Sequence, residues 1–172
     1  MIRFISIALI IILNLFLSGG LFVQINIVGI QSDLLMTAMI CMLMYERTFT
    51  PIGMAMIGGL IIDVVLSPAI GFYTIPYIII GLIIYYLYPW LHQKGRWIGL
   101  IAVAGGTIVN DLIHEIIALF LGHSQNIWSM FLRYTLPSAV LNCVMAVVLL
   151  WLFKKLYHKG WLSPVFQKHT EL

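Results

Sequence analysis

Long apolar segments with almost no internal charge constrain this chain more than any other feature. A helix needs about 20 apolar residues to cross the hydrocarbon core of a bilayer. The chain contains six candidate segments of this kind, at residues 4–23, 34–45, 52–66, 72–91, 97–121 and 134–156. The second and third are shorter than a full crossing, so they form either two spans or one re-entrant hairpin.

The composition excludes an ordinary water-soluble domain. Hydrophobic residues occupy 62% of the 172 positions and charged residues only 9%, whereas a soluble domain carries about 25% charged residues. The expected fold class is therefore an all-α integral membrane protein, a compact bundle of about six transmembrane helices. We expect this domain to cover residues 1–157 and to be followed by a short cytoplasmic tail at residues 158–172.

The basic residues are unevenly distributed if the six segments cross in turn. With a cytoplasmic N-terminus, only Arg133 of the nine basic residues falls on the outer side. The other eight fall inside: Arg3, Arg47, Lys94, Arg96, Lys154, Lys155, Lys159 and Lys168. Basic residues concentrate on the cytoplasmic side of membrane proteins, so both termini are expected to be cytoplasmic. The net charge of +3 then needs no nucleic-acid partner, and the lipid bilayer is the expected environment.

Small and polar residues recur at four-residue spacing within the segments. Residues four apart share one helical face, and helices in lipid associate through small and polar residues. The stripes are Ala55, Gly59, Asp63 and Ser67; Tyr77, Gly81 and Tyr85; Ala104, Asp111, Glu115 and Ala118; and Ser138, Asn142 and Ala146. Each stripe is predicted to face the interior of the bundle.

Asp63 is the most unusual residue of the third segment. It lies in an apolar run, with Gly59 one turn earlier and Gly71 after a Ser-Pro pair. A carboxylate that faces lipid costs about 2.5–3.5 kcal/mol on insertion scales. We therefore expect Asp63 to accept hydrogen bonds at the following turn or from a neighbouring helix, and Gly59 to admit another backbone. A direct contact with a partner or ligand is the alternative.

The fifth segment is the most polar, with Asn110, Asp111, His114 and Glu115 within two turns. Ionisable groups inside a membrane are rare and often functional. Asp111 and Glu115 can share a proton in a proton or cation path, or all three ionisable residues can bind a metal. The interpretation favoured here is a buried polar lock or a partner contact. The zinc-protease motif HExxH is absent, because Ala118 stands where its second histidine belongs.

No arrangement of residues indicates catalysis. Ser138 has no histidine or lysine near it in sequence, and there is no glycine-rich phosphate loop. Cys41 and Cys143 lie within apolar runs and are read as buried apolar residues rather than a disulfide framework. No enzyme activity, cofactor or metal is therefore expected.

The sequence resembles the MreD family of the bacterial rod-shape system. The resemblance covers length, span number, short basic loops and the tail. Its sharpest part is Gly59, Asp63 and Gly71, which match G-x-x-x-D followed by seven residues and a glycine, with Gly53 upstream. Late in the chain, Pro137 and Asn142 match a second family pattern.

The resemblance implies a membrane scaffold of the cell-elongation machinery in the bacterial plasma membrane. Its implied partners are an MreC-like protein and, alongside it, MreB, a RodA-type glycosyltransferase and a penicillin-binding protein. It also implies a fold similar to the six-helix substrate-binding subunits of ECF vitamin transporters. The alternative is a membrane component of a small-molecule or vitamin transporter. The candidate residues for structure or partner contact are Gly53, Gly59, Asp63, Gly71, Asp111, His114, Glu115, Pro137 and Asn142.

Overall fold

The computed structural model describes Leu9, Ile12 and residues 32–67, 70–92, 97–120 and 131–158. In these parts the chain is helical and contains no strand. The helices are α1 Leu34–Leu43, α2 Thr50–Leu66, α3 Thr74–His92, α4 Trp97–Phe120 and α5 Leu136–His158, with a π-helical turn at Phe131–Thr135. The predicted tail and, apart from Leu9 and Ile12, the predicted first span lie outside the described residues.

Helix α1 is the centre of the bundle. All ten of its residues are buried, and α2, α3, α4 and α5 all contact it. A helix that is apolar all round is typical of a protein core. At 1.5 Å per residue α1 is about 15 Å long, so it covers about half of a hydrocarbon core. The second predicted segment is therefore a core helix that is too short to cross the bilayer by itself.

Glycines on the surrounding helices accommodate the side chains of α1. A Cβ added to Gly58 of α2 would lie 2.6 Å from Leu35 Cδ2, and one added to Gly106 of α4 would lie 2.6 Å from Ile40 Cδ1. Real Cβ atoms do not approach other atoms so closely, so a larger residue at either position would displace the end of the Leu35 or Ile40 side chain. The two glycines let α2 and α4 pack directly against α1.

The outer helices follow each other around α1 in chain order. Helix α2 packs on α3, α3 on α4, and α4 on α5. The π turn precedes α5, where Pro137 has no N–H to donate to the carbonyl of Arg133 four residues earlier. A proline is tolerated in the first turn of a helix for this reason, and a widened turn is one way to accommodate the missing bond.

Three helical segments are long and apolar enough to cross a membrane: Thr74–Leu91, Ile98–Phe120 and Phe131–Tyr157. They correspond to the predicted fourth, fifth and sixth spans. Two shorter apolar helices, Leu34–Leu43 and Thr50–Val65, correspond to the second and third. Large apolar side chains are exposed on the outer faces of these helices, as lipid contact requires. On α5 they are Leu136, Val140, Leu141, Val144, Val147, Val148, Trp151 and Leu152.

The predicted stripes face the interior on three helices but not on α4. Buried members of the correct stripes are Ala55, Asp63, Tyr77, Ser138, Asn142 and Ala146. On α4 the predicted stripe is only half-buried, and the buried face carries Ala102, Val103, Gly106, Thr107 and Asn110. The predicted inward face of α4 differs from the buried face by a rotation of about one residue. The prediction placed the ionisable side chains inward, whereas they lie at the border of the buried face.

Candidate functional site

Asp63 lies near the C-terminal end of α2 and accepts hydrogen bonds from the turn that leads into α3. Its Oδ2 accepts hydrogen bonds from the backbone N–H of Gly71 at 2.8 Å, the N–H of Thr74 at 3.2 Å and the hydroxyl of Thr74 at 2.5 Å. Its Oδ1 accepts from the N–H of Tyr73 at 2.8 Å. The side chain is only 2% exposed. Of the two sources expected from the sequence, the following turn or a neighbouring helix, the structure has the turn and the first residue of α3.

The glycines on either side of Asp63 have different roles. Gly71 adopts φ +98°, a conformation that glycine reaches without steric cost, and in this turn the N–H groups of Gly71, Tyr73 and Thr74 point to the carboxylate. A Cβ added to Gly59 would lie 3.1 Å from the Thr74 Cα and 3.0 Å from Tyr77 Cδ2. Gly59 therefore admits the backbone of α3, as expected. A Cβ at Gly53 would meet no atom within 4 Å, so packing does not explain that glycine.

His114 of α4 contacts the same turn. Its Nε2 lies 3.0 Å from the carbonyl oxygen of Phe72, and its ring stacks on the Phe72 ring with centroids 4.5 Å apart. The Tyr73 ring meets the imidazole edge-on at 5.2 Å. Asp63 accepts hydrogen bonds from the backbone on either side of Phe72, and His114 contacts Phe72 itself. The carboxylate from α2 and the imidazole from α4 therefore both stabilise the turn between α2 and α3.

Asn142 of α5 is the centre of a second group of hydrogen bonds. Its Oδ1 accepts from the Ser32 hydroxyl at 2.8 Å and from the Asp33 N–H at 2.9 Å. Its Nδ2 donates to the Thr107 hydroxyl at 3.0 Å, which in turn donates to the Val103 carbonyl at 3.0 Å. Asn142 is completely buried, and it connects α5 to α4 and to the start of α1.

Asp33 is a member of this site that the sequence reading did not single out. Its Oδ1 caps α1 by accepting from the Met36 N–H at 3.0 Å, and its Oδ2 accepts from the Tyr77 hydroxyl of α3 at 2.8 Å. A Ser-Asp pair directly before an apolar run is a helix N-terminus signal, so the cap was predictable. The bond to Tyr77, which joins residues 44 positions apart, was not.

The three ionisable residues of α4 have separate environments. The side chains of Thr135 and Asn110 lie within hydrogen-bonding reach of the Asp111 carboxylate, whereas His114 contacts Phe72. Glu115 is half-buried. Among the described residues no group of three histidine, cysteine, aspartate or glutamate side chains is placed to hold a metal ion. The side chains of Asp111 and His114 thus join α4 to two different turns.

These two groups of contacts, together called the polar network, lie in the half of the bundle where α2 and α4 end and where α1, α3 and α5 begin. Its hydrogen bonds involve residues of all five described helices. Pro137 lies at the same end, in the first turn of α5. Within the described chain, Asn110 Oδ1 is a buried oxygen of this region with no hydrogen-bond partner. The arrangement can fix the helices relative to one another.

Comparison with known proteins gives one family match. A family model described as rod shape-determining protein MreD matches residues 1–160. No curated protein matched the chain significantly, and neither did any solved structure.

Proposed function

This chain belongs to the MreD family of rod shape-determining membrane proteins, and on that premise we propose that it is a non-enzymatic scaffold of the bacterial cell-elongation machinery. The observation that carries the proposal is the family match over residues 1–160 of a 172-residue chain. The partner we propose is an MreC-like membrane protein, with MreB, a RodA-type glycosyltransferase and a penicillin-binding protein acting alongside it. In this role the protein supports peptidoglycan synthesis but catalyses none of its steps.

The internal polar contacts support a scaffold role. Asp63 accepts four hydrogen bonds from the α2–α3 turn, and Asn142 makes three with two other parts of the chain. A carboxylate or amide that is so fully engaged stabilises packing and has little capacity left for a passing proton or ion. We propose that Asp63, His114 and Asn142 act together as a structural lock that keeps one end of the bundle rigid for its partners.

The proposed topology has six membrane segments with both termini in the cytoplasm, of which α1 is too short to cross the bilayer by itself. The supporting observations are the three long apolar helices and the placement of eight of the nine basic residues on one side. A fold similar to the substrate-binding subunits of ECF transporters is part of the same proposal. Cysteines introduced by Gln93→Cys and His158→Cys should resist a membrane-impermeant thiol reagent in intact cells, whereas Ser124→Cys should react. Reversed labelling would contradict this topology.

The proposed function is tested by depletion and complementation in the source bacterium. Depleting the protein should convert rods into rounded cells, and the wild-type chain should restore them. The double variant Asp111→Asn/Glu115→Gln should also restore rods, because amides preserve hydrogen bonding while removing both protonatable groups. Rods that persist after complete depletion would refute the shape function. A double variant that inserts at wild-type levels but leaves rounded cells would favour a proton path.

A further inference from the structure

At the end of the bundle opposite the polar network, an exposed cation lies beside α3 rather than beyond the end of that helix. The connection between α1 and α2 ends at Phe49, whose ring stacks on the Tyr85 ring with centroids 4.6 Å apart. Tyr85 lies about two turns, roughly 10 Å, before the end of α3 at His92. The connection therefore does not reach the level at which α3 ends, and its residues lie beside the last two turns of that helix.

Arg47 is the exposed cation of this connection. Its guanidinium carbon lies 5.2 Å from the centroid of the Tyr85 ring, which is within the range of a cation–π contact. In the described part of the chain Arg47 is paired with this ring and not with a carboxylate. The neighbouring Glu46 is buried, and its Oε1 accepts from the Thr48 hydroxyl at 2.9 Å. The planar guanidinium thus keeps N–H donors for an anion from outside the chain.

Tyr86, whose ring centroid lies 5.7 Å from that of Tyr85, belongs to a face of α3 that is apolar and open. Tyr86 and Trp90 are 71% and 74% exposed, as side chains of an interfacial aromatic belt are. Toward the start of α3, exposed aliphatic residues continue the same helical face: Leu87, Ile83, Ile79 and Ile75. A ligand for this surface needs an anionic group at Arg47 and a hydrocarbon part along α3.

We propose that Arg47, held over Tyr85, binds the phosphate of an anionic phospholipid whose acyl chain lies along the exposed face of α3. A phospholipid combines the two required chemistries, and a guanidinium matches a phosphate through two parallel hydrogen bonds. The charge around the site favours an anionic headgroup over a zwitterionic one. Lys155, whose Nζ lies 5.5 Å from the Trp151 ring centroid near the end of α5, and the adjacent Lys154 add positive charge at this end of the bundle.

Lipid retention measured by native mass spectrometry tests this proposal. The full-length protein is purified from an equimolar mixture of phosphatidylglycerol and phosphatidylcholine, and the ratio of the two retained lipids is measured. The wild-type protein should retain phosphatidylglycerol preferentially. Arg47→Gln should lower that preference about fivefold, which is the contribution expected of one basic residue at a membrane surface. Arg133→Gln removes the same charge at the opposite end of the bundle and should leave the ratio unchanged.

Two further variants keep the test informative if Arg47→Gln folds poorly. Tyr85→Leu retains the guanidinium but removes the ring that positions it, and it should lower the preference by less than Arg47→Gln does. Arg47→Lys keeps the charge and should retain more phosphatidylglycerol than Arg47→Gln. Equal ratios for wild type and Arg47→Gln, an equal loss in Arg133→Gln, or no preference in the wild type would each overturn the proposal. Capture of an acidic protein at Arg47 in place of lipid would overturn it as well.

Discussion

Replacing Asp63 tests directly how the polar network stabilises the fold. In Asp63→Leu the N–H groups of Gly71, Tyr73 and Thr74 lose their acceptor. A buried donor left without a partner costs about 1–3 kcal/mol. With three such backbone groups, the free energy of unfolding should fall by at least about 3 kcal/mol. A leucine at position 63 cannot recover this free energy through packing, because α2 and α3 are already in close contact here. One turn earlier, a Cβ added to Gly59 would lie 3.1 Å from the Thr74 Cα.

Asp63→Asn should be less harmful, for a reason that the geometry makes specific. The amide oxygen can replace Oδ2, which accepts three of the four bonds. The amide nitrogen then faces the Tyr73 N–H, which loses its acceptor. One unpaired donor predicts a loss of about 1–3 kcal/mol, clearly less than in Asp63→Leu.

The free energy of unfolding is measured by unfolding the purified protein reversibly in mixed micelles with increasing SDS. Helical content is the signal that reports unfolding. Val64→Leu is the matched control, since Val64 is adjacent and 72% exposed; it should change the free energy of unfolding by less than about 0.5 kcal/mol. A parent-like stability for Asp63→Leu would refute the reasoning and assign Asp63 to a partner interface. An asparagine variant less stable than the leucine variant would refute it equally.

Other predictions use the same unfolding assay. Gly59→Ala should cost about 1–3 kcal/mol because the added methyl group meets the α3 backbone, whereas Gly53→Ala, on the same helix but in open space, should change stability by less than about 0.5 kcal/mol; equal effects would show that close packing is not the cause. Asn142→Leu should cost at least about 2 kcal/mol, because the Ser32 hydroxyl and the Asp33 N–H lose their acceptor; a neutral result would remove Asn142 from the lock. His114→Phe should be more stable than His114→Ala by about 0.5–1.5 kcal/mol, since it preserves the ring stack, and the opposite order would show that the stack does not contribute.

The α2–α3 turn was predictable from sequence because its chemistry is local. Asp63 and its hydrogen-bond partners are separated by 8 to 11 residues, and Gly71 signals the turn that brings them together. A carboxylate in an apolar run must find donors nearby. The nearest suitable donors are backbone N–H groups at the turn, so the local sequence is enough to predict the hydrogen bonds of Asp63.

The contacts of Asn142 and His114 were not predictable in the same way. Asn142 bonds to Ser32 across 110 residues, and His114 contacts Phe72 across 42. Spacing within a helix fixes which residues share a face, but it does not fix how the helix is rotated against its neighbours. On α4 Gly106 faces Ile40 of α1, and Asp111 and Glu115 lie at the border of the buried face.

The shortness of α1 was visible in the sequence, whereas its central position was not. An apolar segment of about a dozen residues is compatible with a tilted span, a re-entrant hairpin or a core helix. The structure buries all ten residues of α1 because four other helices pack around it, two of them with a glycine facing an α1 side chain. The information that places α1 thus lies on its neighbours, outside the segment itself.

The scaffold proposal is tested most directly by affinity purification of the tagged protein from native membranes in mild detergent. We expect an MreC-like protein to be retained in comparable amount, both with the wild-type chain and with Asp111→Asn/Glu115→Gln. Purification of a stable, folded protein that brings no MreC-like partner but brings the ATPase and coupling subunits of a transporter would contradict the account.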